Sequence, residues 1–268
     1  MTMMQGKKVR HTRKALIETA LLGQGLPSLT NDYILREWRH STSIALVWLE
    51  NGRITFGNIK EFLQLRGNPD MERIDASNLS VAIRERVSGY MTAAAVMRVA
   101  AQTGNFIVVT AGMGGIRGKI LSNDLVTLSQ MPIVLVASSP KDTLDLPATL
   151  GYLRGQGVCL IGNGTDQCNG FLFIKESFPL DGVYCGQKVE ELIKNGPCLI
   201  LNPLPLCLRF TDGTILANAT AQGEAAARQM RQFHPAVNAA LDRLTGGKAS
   251  ILQLRSLMDN IDLALSLH

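Results

Sequence analysis

The sequence predicts an α/β fold of three layers, α/β/α, with helices on both sides of a largely parallel central sheet. Short apolar runs without alternation, such as residues 133–137, are typical of strands buried on both faces. Along the chain these runs alternate with stretches of helical periodicity, which favours a parallel sheet. Hydrophobic residues make up 46% of the 268 residues and charged residues 18%, so a large core can be buried.

The N-terminal half supplies the first elements. Residues 15–27 begin like a strand, although Ala15 to Leu22 also fit a helix. Residues 43–57 alternate and contain Asn51-Gly52, which is a hairpin signal. Residues 59–67 predict a short helix. The alanine-rich stretch 79–103 has helical periodicity throughout, and residues 105–118 predict a strand that runs into a glycine loop.

The second half continues the alternation. Residues 122–130 carry an N-cap signal and a helical turn, and residues 133–166 predict strand, loop, helix and strand. Residues 189–205 predict a helix, a buried strand and a proline-bounded loop. The chain is helical from about 220, with a helix end at 244–248. Since no repeat or linker is visible, we expect one domain over 1–268, with a flexible basic N-terminus at 1–13.

Composition argues against several classes of protein. No apolar run approaches the roughly 20 residues that span a bilayer, and no signal peptide is recognisable, so we expect a cytoplasmic protein without membrane contact. The formal net charge is +5, but no basic stripe carries interleaved aromatic residues, so no nucleic acid partner is expected. The five cysteines and four histidines lack the spacing of a disulfide framework or a metal site.

Lys141 is the first candidate for chemistry. In open parallel sheets ligands bind outside the carboxyl ends of the strands, and loops 110–124, 137–142 and 202–205 would meet there. A lysine near low-dielectric walls can lose its charge and become a nucleophile. The alternatives are a solvated loop lysine and a phosphate-binding cation.

Glu18 is the second candidate. It follows three strand-like residues and could serve as a general acid or base, or it could be an ordinary helix glutamate. The glycine loop 110–119 carries Arg117 and Lys119, and it could bind an anion through its backbone or form a plain turn. Asp124 fits a helix N-cap as well as a ligand role, and Asp145 is placed inside the helix that follows Lys141.

Five segments, taken together, resemble one family. They are "LIETALLGQGLP" from residue 16, "TAGMGGI" from 110, "SPKDTLDLPATLGYLRGQGVCLIGNGTD" from 139, "NPLP" at 202–205 and "LTGGK" at 244–248. Their order and wording are similar to those of the pseudouridine-5'-phosphate glycosidase family, also called indigoidine synthase A-like. The resemblance covers about residues 14 to 266 and identifies the chain as a divergent member.

The resemblance implies an activity. In that family the lysine at the position of Lys141 attacks the anomeric carbon of a ribose 5-phosphate unit and forms an imine, and the glutamate at Glu18 moves protons. The chemistry breaks or forms a C-glycosidic bond, so the partners would be a phosphorylated ribose C-nucleoside, or ribose 5-phosphate and a base or aglycone. A homotrimer is implied. The alternatives are a C-glycosynthase of C-nucleoside or natural-product biosynthesis, and a non-catalytic sugar-phosphate-binding homologue.

The resemblance also implies substrate contacts. They fall at Arg73, Ala93, Gly112, Gly114, Gly115, Arg117, Lys119, Ser122, Asn123, Asp124, Asn202 and Gln253. Arg73 stands where the family has a lysine, and Gln253 where it has a base-side asparagine. The aspartate that binds manganese in the family has no counterpart, because Ile120 lies nearest its position. Asp124 is left as a weak candidate ligand, so we expect no metal or other cofactor.

Overall fold

The structure is a computed structural model that describes residues 15–40, 43–229 and 233–267; the predicted flexible N-terminus lies outside these ranges. The strands are β1 (Ala15–Ile17), β2 (Ile44–Glu50), β3 (Arg53–Gly57), β4 (Glu72–Ile74), β5 (Gly89–Met91), β6 (Ile107–Val109), β7 (Gly112–Met113), β8 (Ile116–Arg117), β9 (Ile120–Leu121), β10 (Val134–Ala137), β11 (Ser139–Pro140), β12 (Cys159–Gly162), β13 (Gln167–Cys168), β14 (Phe178–Pro179), β15 (Gly182–Val183) and β16 (Cys198–Leu201).

The helices alternate with these strands in the first two thirds of the chain and follow one another in the last third. They are α1 (Ala20–Gln24), α2 (Asn31–Glu37), α3 (Ile59–Leu63), α4 (Leu79–Arg84), α5 (Ala93–Thr103), α6 (Asn123–Ser129), α7 (Leu146–Gly155), α8 (Val189–Leu192), α9 (Gly213–Arg228), α10 (Phe233–Leu244) and α11 (Lys248–Ser266). A 3₁₀ turn spans Leu206–Leu208.

The central sheet has ten strands in the order β15-β12-β16-β10-β6-β1-β2-β5-β4, and β3 pairs with β2. The seven strands from β15 to β2 are parallel to one another. At one edge, β3 and β5 run antiparallel to β2. The predicted, largely parallel sheet is therefore confirmed.

Two apolar cores cover the two faces of the sheet, which confirms the three layers. Successive residues of a strand point to opposite faces. On β10, accordingly, Val134 and Val136 join the core formed with α1–α3 and α8–α11, whereas Leu135 and Ala137 join the core formed with α4–α7. Because both faces are buried, these strands are uniformly apolar instead of alternating.

Local structure confirms some predictions and corrects others. Residues 15–17 form a strand, and Asn51 and Gly52 take the positive φ angles, 49° and 74°, of a tight hairpin turn. The predicted helix over 79–103 is wrong, because β5 separates α4 from α5. Asp145 lies outside its helix as the N-cap, where its carboxylate accepts a hydrogen bond from the Ala148 N–H.

The carboxyl ends of the adjacent strands β1, β6 and β10 face one side of the molecule. The segments that leave them carry Glu18, Thr110 and Lys141 respectively, and β6 lies between the other two strands. Across the described ranges, the helices are too short or too polar to cross a bilayer.

Candidate functional site

A pocket of about 500 Å³, including its open mouth, lies at these carboxyl ends. We call it the polar chamber. Seven of the predicted site residues line it, and they come from six separate segments of the chain. They are Glu18, Arg73, Ala93, Gly112, Asp124, Lys141 and Gln253.

Lys141 is positioned by a second, two-stranded sheet. β11 pairs with β7, and the Lys141 N–H donates to the Met113 carbonyl at 3.1 Å, so the segment folds back over the glycine loop. A Cβ atom on Gly112 would lie 3.2 Å from Lys141 Cγ and 2.7 Å from the Phe171 ring. Glycine at 112 therefore gives the lysine side chain room to reach the chamber.

The Lys141 ammonium is in an unfavourable environment. Burial lowers its pKa from the ordinary value of 10.5, and the nearby positive charge of Arg73 lowers it further. The carboxylates of Glu18 and Asp124 oppose this shift, but the net direction is downward. A lysine with a lowered pKa has more of the unprotonated amine near neutral pH, which is the nucleophilic form.

Glu18 lies across the chamber from the loop of Lys141, immediately after β1, and is 6% exposed. Its Oε1 accepts a hydrogen bond from the Thr110 hydroxyl at 3.2 Å, and its Oε2 accepts one from the Leu21 N–H at 3.2 Å. Burial raises its pKa above the ordinary value of 4.5, although Lys141 and Arg73 oppose the shift. A fixed carboxyl with a raised pKa can exchange a proton near neutral pH.

The lining of the chamber also includes a cation, Arg73, and the N-terminus of α5. Arg73, on edge strand β4, has no ion-pair partner among the residues that the structure describes. Ala93 begins α5, whose Thr92 cap accepts a hydrogen bond from the Ala95 N–H. A guanidinium without an ion-pair partner attracts anions, whereas the Ala94 N–H of this helix N-terminus already donates to the Asp124 carboxylate.

Sequence reasoning missed several polar residues of the chamber. They are Gln24, Thr92, Thr110, His234 and Asn238. His234 lies at the start of α10, and burial together with Lys141, Arg73 and Arg117 lowers its pKa to about 2. It is therefore a neutral imidazole with one donor and one acceptor nitrogen. No sequence pattern marked it, because it is more than ninety residues from Lys141 and has no metal-type spacing.

The rest of the glycine loop packs against itself. The Gly114 N–H donates to Asp124 Oδ2 at 2.7 Å, and a Cβ atom on Gly114 would lie 2.0 Å from the Ser122 hydroxyl oxygen. A Cβ atom on Gly115 would lie 2.6 Å from the Thr149 hydroxyl oxygen. These two glycines thus permit close packing and do not line the polar chamber.

Five further predicted residues also lie away from the chamber lining. Arg117 packs its guanidinium over the Phe233 ring, 3.8 Å from the ring centre, and Lys119 is exposed in the β8–β9 hairpin. Ser122 caps α6, and Asn123 donates to the Ser77 hydroxyl. Asn202 accepts from Asn163 and donates to the Asp259 carbonyl. Their substrate contacts stay predictions.

The residues present do not suit a manganese ion. Both carboxylate oxygens of Asp124 are engaged, since Oδ1 accepts from the Ala94 N–H at 3.0 Å and Oδ2 from the Gly114 N–H. Ile120 is 59% exposed and offers no ligand atom. Burial and the charge of Asp124 raise the pKa of nearby Asp75, although Arg73 opposes the shift. Hard divalent ions prefer several ionised oxygen ligands, so metal-free activity stays a prediction.

A second pocket of about 320 Å³ adjoins the first, and we call it the apolar chamber. The two chambers share four polar residues, which are Lys141, His234, Asn238 and Gln253. Beyond that boundary, five of the seven remaining lining residues are apolar. They are Phe171, Leu172, Leu216, Val237 and Leu241.

Comparison with known proteins finds a matching family model and similar protein sequences. The family model described as indigoidine synthase A like protein matches residues 15–267. A pseudouridine-5'-phosphate glycosidase of Thermus thermophilus is 29% identical over 279 residues, which is 96% of each chain. Another, from Methylobacterium nodulans, is 28% identical over 83% of this chain and 71% of its own length.

Two solved structures share the fold. One is an indigoidine synthase A-like protein of Thermotoga maritima, with a TM-score of 0.77 and 20% identity over 97% of this chain and 94% of that one. The other is the prealnumycin C-glycosynthase AlnA in complex with ribulose 5-phosphate, with a TM-score of 0.73 and 20% identity over 94% and 91%. At this identity the likeness establishes the fold alone.

Proposed function

Because the chain belongs to the indigoidine synthase A-like family, we propose that it makes or breaks a C-glycosidic bond to ribose 5-phosphate through an imine on Lys141. The observation that carries the proposal is the placement of Lys141 and Glu18 in one chamber. Their pKa values are shifted in opposite directions, which suits an amine nucleophile and a proton-transfer group near neutral pH.

The reaction can be followed in the direction of bond formation. The Lys141 amine condenses with C1 of open-chain ribose 5-phosphate, releasing water and leaving an imine. A nucleophilic carbon of the aglycone adds to C1, and the C=N electrons move onto nitrogen. The aglycone carbon loses its proton to Glu18, which passes the proton to the lysine nitrogen. The C4 hydroxyl oxygen then replaces this amine at C1, and its proton restores the free Lys141 amine. One C–C bond has formed and one water has left, so cleavage is the same path reversed.

The phosphate is assigned to the wall that carries Arg73 and Ala93. Arg73 has no ion-pair partner among the described residues, and a guanidinium favours phosphate. At the start of α5, the Ala94 and Ala95 N–H groups already donate to Asp124 and Thr92, so Arg73 carries the assignment. Relatives named pseudouridine-5'-phosphate glycosidase, and the fold neighbour crystallised with ribulose 5-phosphate, support a five-carbon sugar phosphate.

Reduction of the imine tests the proposal. Ribose 5-phosphate and sodium borohydride are added to the enzyme, and the modified peptide is identified by mass spectrometry. We expect one reduced pentose phosphate adduct on Lys141 and none in Lys141→Arg, because a guanidinium does not form an imine at neutral pH. An unmodified Lys141 under saturating sugar phosphate would instead favour a non-catalytic sugar-phosphate-binding protein.

A further inference from the structure

We propose that the apolar chamber binds the aglycone, and that this aglycone is a flat, largely apolar aromatic ring with an oxygen acceptor, of the phenol type, and not a pyrimidine. The inference rests on the proposed function, since it names the partner that meets the sugar at Lys141. It is carried by the lining of the chamber and by one unpaired amide group.

The first observation is the asymmetry of the two chambers. Glu18, Arg73 and Asp124, which are the charged residues of the polar chamber other than Lys141, do not border the apolar chamber. A sugar phosphate attached to Lys141 would therefore contact these charged side chains only in the polar chamber. The group on the other side of C1 faces Phe171, Leu216 and Val237, among others.

The second observation is that the far wall has few free polar groups. Asp142 is buried, and its carboxylate already accepts hydrogen bonds from the backbone N–H groups of Phe171, Leu172 and Phe173 at 2.8, 2.8 and 3.3 Å. Thr143 is the other polar residue of that wall. A pyrimidine has donors and acceptors around most of its edge, and those that face this wall, away from the four shared polar residues, would be left unpaired, which is unfavourable.

The third observation is an unpaired donor at the boundary. Gln253 is 2% exposed and lines both chambers, and its Nε2 has no hydrogen-bond partner among the described residues. A buried amide without a partner is uncommon in native proteins and often marks a place where a ligand binds. It calls for an acceptor such as a phenolic or carbonyl oxygen.

The reactivity of a phenol-type ring also favours this assignment of the aglycone. A ring carbon becomes nucleophilic when an adjacent oxygen donates electron density, as in a phenol. An amide N–H on that oxygen favours the deprotonated phenolate, and the ring carbon of the phenolate is the nucleophile that attacks C1. Gln253 and the apolar wall together thus select an oxygen-bearing aromatic ring.

The test begins with binding alone, so that it does not depend on catalysis. Titration calorimetry compares 1,3-dihydroxynaphthalene with uracil on the wild-type protein without sugar. We expect the naphthalene diol to bind about tenfold or more tightly than uracil. Leu216→Asn, which places an amide in the wall, should weaken diol binding about tenfold. Leu192→Asn, at a half-buried site outside both chambers, is the matched control and should bind as wild type does.

A second arm asks whether bound diol reacts. With ribose 5-phosphate, the wild type should form a product whose mass is the sum of both reactants minus water, and Gln253→Leu should form at least about tenfold less. Tighter uracil binding, or equal diol binding by wild type and Leu216→Asn, would overturn the inference. Diol binding without an imine on Lys141 would overturn the proposed function and leave the assignment of the chamber standing.

Discussion

The polar and apolar chambers share Lys141 and His234, yet they are built from different parts of the chain. The polar chamber is formed by segments that leave the sheet, and their backbone hydrogen bonds hold Glu18 and Asp124 in place. The apolar chamber is walled by the segment 171–172 and by α9 and α10. The difference teaches that the proposed reactive groups are held by segments that leave the sheet, whereas the wall to which we assign aglycone selection is mainly helical.

Substitution of Lys141, which borders both chambers, should have the largest effect on turnover. Lys141→Ala and Lys141→Arg should both lower turnover to background, because neither side chain can form the imine. Steady-state turnover and borohydride trapping provide the measurement. Lys194→Ala, at an exposed lysine, is the control and should behave as wild type. Normal turnover in either Lys141 variant would remove the imine mechanism.

Glu18→Gln should separate proton transfer from imine formation. The substitution keeps the size of the side chain but removes its proton transfer, so we expect kcat to fall about 10²–10⁴-fold. Trapping of ribose 5-phosphate on Lys141 should persist, and affinity for the aglycone should change little. Glu224→Gln, at an exposed position on α9, is the matched control. Wild-type turnover in Glu18→Gln would leave Glu18 with a structural role only.

Arg73→Ala tests whether charge recognition is confined to the polar chamber. We expect the KM for a phosphorylated substrate to rise roughly ten- to a hundredfold, as is typical when a charged hydrogen bond is lost. The KM for the dephosphorylated analogue should change far less, and the ratio should not depend on the aglycone. Exposed Arg84→Ala is the control. Equal effects on both substrates would place the phosphate elsewhere.

The thermal stability of Glu18→Gln should show how much the buried Glu18 carboxylate destabilises the folded protein. Because folding raises the pKa of Glu18 above 4.5, the folded state holds this proton more tightly than the unfolded state. The wild type therefore loses stability as pH rises from 4.5 through the raised pKa. We expect Glu18→Gln to have a higher Tm than wild type near neutral pH, and the difference to shrink as the medium is acidified. A constant difference at all pH values would argue against the raised pKa.

Removal of divalent metal should have the smallest effect. Since both Asp124 oxygens already accept backbone hydrogen bonds, we expect turnover to survive exhaustive EDTA treatment. Elemental analysis should find no stoichiometric manganese in the purified protein. One tightly bound metal per chain, with activity lost on its removal, would contradict this prediction and point to Asp124 as the likeliest ligand.

Sequence reasoning identified the parts of the polar chamber that short motifs carry. Lys141 and Glu18 each follow an apolar strand, and the family resemblance raised both above their local alternatives. His234 and Asn238 were missed, because both lie in α10 without a distinctive neighbour. Only the packing of α10 against the sheet segments shows that His234 reaches the lysine.

The errors in the predicted secondary structure also have physical causes. Strand β5 is three residues long and fully buried, so it was too short to show a period of two between α4 and α5. Asp145 was placed inside a helix, although the Pro147 that follows it marks the first turn and makes Asp145 the natural cap. The glycine loop resembled an anion site, but its glycines allow close packing that sequence alone does not reveal.

The strand order also sets the distance between the starting points of the Glu18 and Lys141 segments. Glu18 leaves β1 and the loop of Lys141 leaves β10, with β6 between them, so their starting points are about two strand spacings, or roughly 10 Å, apart. That interval is set by backbone hydrogen bonds, which substitutions in the core hardly alter. The spacing of the proposed acid–base group and nucleophile is thus set by the sheet, and we expect substitutions in the helical wall to leave that spacing unchanged.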